Sequence, residues 1–100
     1  MQEIMPREKS KSESAAGRLI SAIQKEWWLE LGEPQAEQSE LVMGRAHELL
    51  QARNADSMLS VLGSKSVAEF LGESWLQSHK GVTSSICELE SAIKIERKTE

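Results

Sequence analysis

Two histidines and one cysteine are the side chains of this 100-residue chain best suited to metal binding or nucleophilic chemistry. His47, His79 and Cys87 lie far apart in the sequence, and no two of them have the short spacing of zinc ligands. A cysteine nucleophile needs an electropositive setting, yet Cys87 precedes Glu88 and Glu90, whose charges disfavour a thiolate. The sequence therefore predicts no metal site, and it favours a packing role for Cys87.

Glutamate pairs could in principle carry general acid–base chemistry. Glu69 and Glu73 are four residues apart and share one helical face, which is also the usual arrangement of a solvated helix surface. The six glycines are spread along the chain, so no glycine-rich phosphate loop is present. We therefore expect no enzymatic activity and no cofactor or small-molecule substrate.

Composition describes a small acidic protein. The chain carries 12 basic and 16 acidic residues, a net charge of −4, and an acidic surface repels nucleic-acid phosphates. No apolar run approaches the roughly 20 residues of a membrane span, and the N-terminus lacks the apolar core of a signal peptide. A single cysteine excludes an intramolecular disulfide and fits a reducing compartment. We therefore expect a cytoplasmic protein that does not contact membranes.

Apolar residues recur at helical spacing along the chain, and no stretch alternates with the period of two of a β-strand. We predict an all-α fold, a small orthogonal or bundle-like domain of four to five helices. One domain over residues 14–97 is expected to follow a disordered N-terminal tail, residues 1–13. The predicted helices span about 14–31, 34–53, 57–62, 65–79 and 84–97.

The predicted central helix is the segment 64–76, against which the other helices are expected to pack. It contains the only phenylalanine and one of the three tryptophans. Ser66 and Glu69 have the spacing of a capping box at its start. Gly32 and Asn54 are expected to end the first and second helices, because these residue types tolerate a left-handed conformation.

Four apolar residues fall outside the buried stripe of their predicted helix: Trp28, Leu41, Leu76 and Ile95. If they cluster around Trp28, they form a patch of the kind that marks a protein interface. The alternative is that some belong to the core, because helices of a small domain pack on two sides. We therefore expect a non-catalytic, regulatory protein–protein interaction module of adaptor, inhibitor or chaperone type. Its partner would be another protein or its own copy, as in a homodimer.

A DNA-binding regulator with a helix-turn-helix at about 56–76 is the alternative function. A short helix, Gly63 in the turn and a longer helix give the outline of that motif. Glu69 and Glu73 oppose it, because phosphates repel acidic residues on a recognition helix. The candidate nucleic-acid contacts under this alternative are Lys65, Arg7, Lys9, Lys11 and Arg18.

Overall fold

The computed structural model describes the backbone of residues 10–98 and the side chains of residues 10–97. Within this range the chain is all-α, as predicted, with no β-strand. No helix in the described range is both long and apolar enough to cross a bilayer. The helices are α1 (Lys11–Leu29), α2 (Ala36–Ala52), α3 (Ala55–Leu62), α4 (Val67–Leu71), α5 (Glu73–Ser78) and α6 (Thr83–Lys98), with a 3₁₀ turn (Lys80–Val82) before α6.

Helix α1 is the centre of the fold, because it packs along both α2 and α6. Its inward stripe is fully buried and contributes Leu19, Ile20 and Ile23 to the core. Facing side chains such as Leu49 on α2 and Leu89 on α6 are buried as well. The prediction that segment 64–76 is the central element was therefore wrong, since the longest amphipathic helix fills that place.

The predicted helix over residues 65–79 is two short helices that meet at Gly72. The Ser66–Glu69 capping box is present at the start of α4, as predicted. Gly72 has φ 124° and ψ 107°, a conformation that residues with a Cβ rarely adopt. The Leu71 carbonyl accepts a hydrogen bond from Nη1 of Arg45 at 2.9 Å, so a side chain of α2 takes the place of the next helical donor.

Helix α1 begins within the segment predicted to be a disordered tail. Ser10 is the N-cap, and its Oγ accepts the Glu13 N–H at 3.0 Å while donating to the Arg53 carbonyl at 2.7 Å. The prediction of a tail over 1–13 was therefore wrong for its last residues, from Lys11 onward. The rest of that prediction, residues 1–9, lies outside the described residues.

A carboxylate of α6 holds the starts of two other helices. Glu96 Oε1 accepts the Ser12 N–H at 3.2 Å, and Glu96 Oε2 accepts the Ala55 N–H at 2.7 Å. Free backbone N–H groups at helix starts need such acceptors. This contact anchors the first turn of α1, which explains why the helix begins earlier than local sequence suggests.

The ends of α1 and α2 also differ in detail from the prediction. Helix α1 ends at Leu29, before Gly32, and α2 starts at Ala36 after a turn. Helix α2 ends at Ala52, and its C-cap residue Arg53 adopts the left-handed conformation with φ 71°. Asn54 is therefore not the end of α2; its side chain accepts the Ser57 N–H at 2.9 Å and caps α3.

Candidate interaction surface

The last turn of α1 exposes two large apolar side chains. Trp28 is 65% exposed and Leu29 is 79% exposed. With Ser21, Gln24 and Lys25 they line a shallow groove of about 680 Å³, which we call the α1 surface. Trp28 was a predicted interface residue, and sequence reasoning missed Leu29. Its signal was available, because a helix places Leu29 about 200° from Trp27, away from the buried stripe.

Both tryptophans of α1 belong to this end of the helix. Trp27 is half-buried, and its ring meets that of Trp28 edge to face with centroids 6.3 Å apart. Edge-to-face contact is a favoured geometry for aromatic pairs. The Trp28 ring is thus supported from within the molecule while most of its surface faces solvent.

Leu41 lies on a second surface. It is 63% exposed on α2, in a trough of about 1030 Å³. This α2 trough shares no residue with the α1 surface. Its lining includes Glu37, Glu40, Leu41, Gly44, Arg45 and Glu48.

The other two predicted interface residues have different surroundings. Leu76 is half-buried and packs against the hydrophobic core. Ile95 is exposed near the end of α6. Trp28 and Leu41 therefore line separate grooves, and Leu76 is part of the core packing.

The predicted nucleic-acid contacts within the described range belong to α1 and to the loop before α4. Lys65 is exposed in the loop before α4, and Lys11 is exposed at the start of α1. Arg18 Nε pairs with Glu88 Oε1 at 2.5 Å, so its charge is partly offset. Arg7 and Lys9 lie outside the described residues.

In the structure, the segment predicted to be the recognition helix of a helix-turn-helix at 56–76 is not one long helix. Helix α4 has five residues and ends at Leu71, directly before Gly72. At 1.5 Å per residue it is only about 7.5 Å long. This is less than the width of a major groove, about 12 Å, so the geometry of α4 does not favour the DNA-binding alternative.

The residues considered for metal or nucleophilic chemistry do not come together. His47 and Cys87 are both exposed, which corrects the expectation of a half-buried Cys87 in a packing role. Across the described residues, no three His, Cys, Asp or Glu side chains are grouped closely enough to hold a metal ion. Of these three residues, only His79 lies in a network of hydrogen bonds.

His79 belongs to a closed polar cluster with Glu30, Ser39 and Trp75. Trp75 Nε1–H donates to Ser39 Oγ at 2.8 Å, and the Ser39 hydroxyl donates to Glu30 Oε1 at 2.5 Å. Glu30 Oε2 lies 2.9 Å from His79 Nε2, and His79 Nδ1 lies 2.7 Å from the Trp75 carbonyl oxygen. The imidazole also stacks on the Trp75 indole, with centroids 4.0 Å apart.

The partners of the imidazole determine its protonation. A backbone carbonyl only accepts, so Nδ1 must carry a proton, and an ionised carboxylate requires a second proton on Nε2. The cluster is therefore best satisfied by a His79 cation paired with a Glu30 anion. The side chains are largely removed from solvent, at 11% and 14% exposure, so the charges are weakly screened.

The pKa values of the pair move in opposite directions. Burial favours neutral His79, but hydrogen bonds to the Trp75 carbonyl and Glu30, with the negative charges of Glu30 and Glu26, raise its pKa above 6.5. Burial likewise opposes ionised Glu30, but hydrogen bonds from Ser39 and His79 lower its pKa below 4.5. Each partner thus stabilises the charged form of the other.

This cluster positions the end of α1. Glu30 directly follows Leu29 and connects the helix end to Ser39 of α2 and to His79 beyond α5. It also lines a polar cleft of about 540 Å³ with Gln35 and Gln38. Since both ring nitrogens of His79 already have partners, we assign the cluster a positioning role for the neighbouring α1 surface.

Comparison of the chain with models of protein families, with curated proteins and with solved structures gives no match.

Proposed function

We propose that the protein is a non-catalytic protein-binding module and that the α1 surface is its binding face. The observation that carries this proposal is the exposure of Trp28 and Leu29 side by side at the end of α1. Tryptophan is among the residues that most often dominate binding energy at interfaces. Burying a side chain of this size against a partner yields roughly 1.5–3 kcal/mol.

The α1 surface is also held in position before any partner arrives. Trp27 supports the Trp28 ring, and Glu30 fixes the end of the helix immediately after Leu29. A preorganised surface loses less conformational entropy on binding, which improves affinity. This support distinguishes the α1 surface from isolated apolar residues such as Val61 on α3.

The setting of this activity is proposed to be the cytoplasm. The thiol of Cys87 is exposed and forms no disulfide in the described structure. Exposed free thiols persist in reducing compartments. The proposed role is that of an adaptor, inhibitor or chaperone, each of which acts through a protein surface.

The proposal is tested by affinity capture from native lysate with the Trp28→Glu variant and the Val61→Glu variant as a matched control. Both substitutions place a negative charge at an exposed apolar position, one on the α1 surface and the other on α3. We expect a stoichiometric protein partner that survives nuclease and moderate salt. Purified, that partner should bind Trp28→Glu at least roughly 30-fold more weakly than wild type, which corresponds to about 2 kcal/mol.

Two results would contradict the proposal. One is a partner that binds Trp28→Glu and Val61→Glu equally well. The other is recovery of nucleic acid alone, or of proteins released by nuclease and salt, which would favour the DNA-binding alternative. Circular dichroism of both variants checks that the helical fold is retained.

A further inference from the structure

The exposed charges of α1 have one sign. Lys11, Arg18 and Lys25 are its exposed charged residues, whereas Glu13 is buried and Glu26 is half-buried. Lys25 lines the same groove as Trp28 and Leu29. The α1 surface therefore combines an apolar anchor with positive charge, in a protein whose net charge is −4.

The α2 trough has the opposite character. Glu37, Glu40 and Glu48 are exposed there, against one base, Arg45. The Arg45 guanidinium is engaged by the Leu71 carbonyl at 2.9 Å. Leu41 supplies an exposed apolar side chain among these acids. The trough is thus complementary to the α1 surface in charge, and Leu41 gives it an exposed apolar residue of its own.

Gly44 is a feature of α2 that packing within the chain does not explain. Glycine is one of the least favourable residues in a helix interior. A Cβ at position 44 would meet no atom within 4 Å, so no internal contact requires its absence. Gly44 lies three residues after Leu41 and four before Glu48, on the same face. Its missing side chain leaves a notch in the trough beside Leu41.

We infer that the α1 surface of one copy docks in the α2 trough of a second copy, so that the protein associates head to tail. This inference rests on the proposed function, because it uses the α1 surface as the binding face. Trp28 enters the notch beside Leu41 and Gly44, and Lys25 approaches the acidic rim. The trough, at about 1030 Å³, has room for an indole ring.

Such a contact is heterologous, because the two docking surfaces share no residue. A pair of copies therefore keeps one unused α1 surface on one copy and one unused α2 trough on the other. Heterologous contacts add further copies until a ring closes, or continue as an open chain. A symmetric dimer through two α1 surfaces would instead stop at two copies.

Complementary variants test this arrangement. Trp28→Ser removes the anchor and keeps the trough, whereas Leu41→Ser weakens the trough and keeps the anchor. Sedimentation velocity over a concentration series should show wild type growing beyond a dimer and each variant remaining monomeric. An equimolar mixture should form a one-to-one dimer and nothing larger, since only one intact surface pair exists.

Three outcomes would overturn the inference: a wild type that is monomeric at every concentration, a mixture that stays monomeric, or Leu41→Ser that still dimerises. The last outcome would indicate a symmetric α1–α1 contact. If wild type is monomeric but a foreign partner still depends on Trp28, the inference fails while the proposed function stands. The two failures are therefore distinguishable.

Gly44→Ala gives a second test in which folding and association move in opposite directions. Alanine favours the helix, so the melting temperature should rise, while a methyl group in the notch should weaken self-association roughly tenfold. Gly17→Ala on α1 is the matched control, because a Cβ there also meets no atom within 4 Å. It should raise the melting temperature and leave association unchanged. If Gly44→Ala and wild type self-associate with equal affinity, the notch at Gly44 is not the place where Trp28 docks.

Discussion

Two carboxylates, Glu30 and Glu96, hold opposite ends of α1, and they do so by different means. Glu30 joins the end of α1 to Ser39 and to the imidazole of His79. Glu96 reaches from α6 to the backbone N–H groups of Ser12 and Ala55, at the starts of α1 and α3. One carboxylate is compensated by a titratable side chain, and the other by backbone donors and the positive ends of helices.

This difference makes the two ends respond differently to pH. Burial opposes ionised Glu96, but the hydrogen bonds from Ala55 and Ser12 outweigh it and lower the Glu96 pKa below 4.5. Its contribution is therefore lost only on acidification. The Glu30–His79 pair is fully charged only over a range of pH. Below that range Glu30 becomes protonated, and above it His79 loses its proton.

The largest expected effect separates the two carboxylates directly. Glu96→Ala leaves the Ser12 and Ala55 N–H groups without their acceptor, and should lower the free energy of unfolding by about 3 kcal/mol. Urea denaturation measures the change. Glu88→Ala on the same helix removes an exposed pair with Arg18 and should cost at most about 1 kcal/mol. Similar losses in the two variants would show that Glu96 does not hold the helix starts.

The next effect concerns the opposite end of α1. His79→Gln removes the cation and the stacking contact with Trp75, and should cost about 2 kcal/mol at about pH 6. A double-mutant cycle with Glu30→Gln should give a coupling energy of about 1 kcal/mol or more. Additive losses in the cycle would mean that the two side chains contribute independently, contrary to the paired cluster.

The smallest effect is a difference in pH profile. The raised pKa of His79 contributes stability fully below its unfolded value of 6.5, and this is lost as pH rises through the folded pKa. The lowered pKa of Glu30 contributes above 4.5, and this is lost as pH falls through the folded pKa. The melting temperature of wild type should therefore fall as the pH rises above 6.5, and it should fall less in His79→Gln.

The acid limb of the same profile is the internal control. Glu96 also loses its contribution as pH falls through its lowered pKa, so acid destabilisation should persist in His79→Gln. An alkaline decline of equal size in both proteins would exclude His79 as its source. The alkaline limb thus reports the Glu30–His79 end of α1 alone, whereas both ends contribute to the acid limb.

Local sequence was sufficient for the features that depend on local physics. The helical stripe through Leu19 and Ile23 is buried, and the Ser66–Glu69 capping box is present. Both follow from residues within a few turns of one another. The all-α class could be predicted for the same reason.

Features that depend on distant partners could not be predicted. The break at Gly72 is accompanied by the contact of Arg45 with Leu71, and the start of α1 depends on a carboxylate 84 residues from Ser12. The pairing of Glu30 with His79 spans 49 residues. Periodicity identifies which face of a helix is apolar, but it does not determine which neighbour covers that face.

The contact between Ser12 and Glu96 also describes the topology of the chain. It brings a residue of the first turn beside one near the end of the last helix, so the described fold is a nearly closed circuit. The contacts between neighbouring helices therefore do not depend on the position at which the backbone is opened. A circular permutant of the described residues, opened between the exposed residues Ser64 and Lys65 and with residues 10 and 98 joined by a short linker, would keep every helix neighbour.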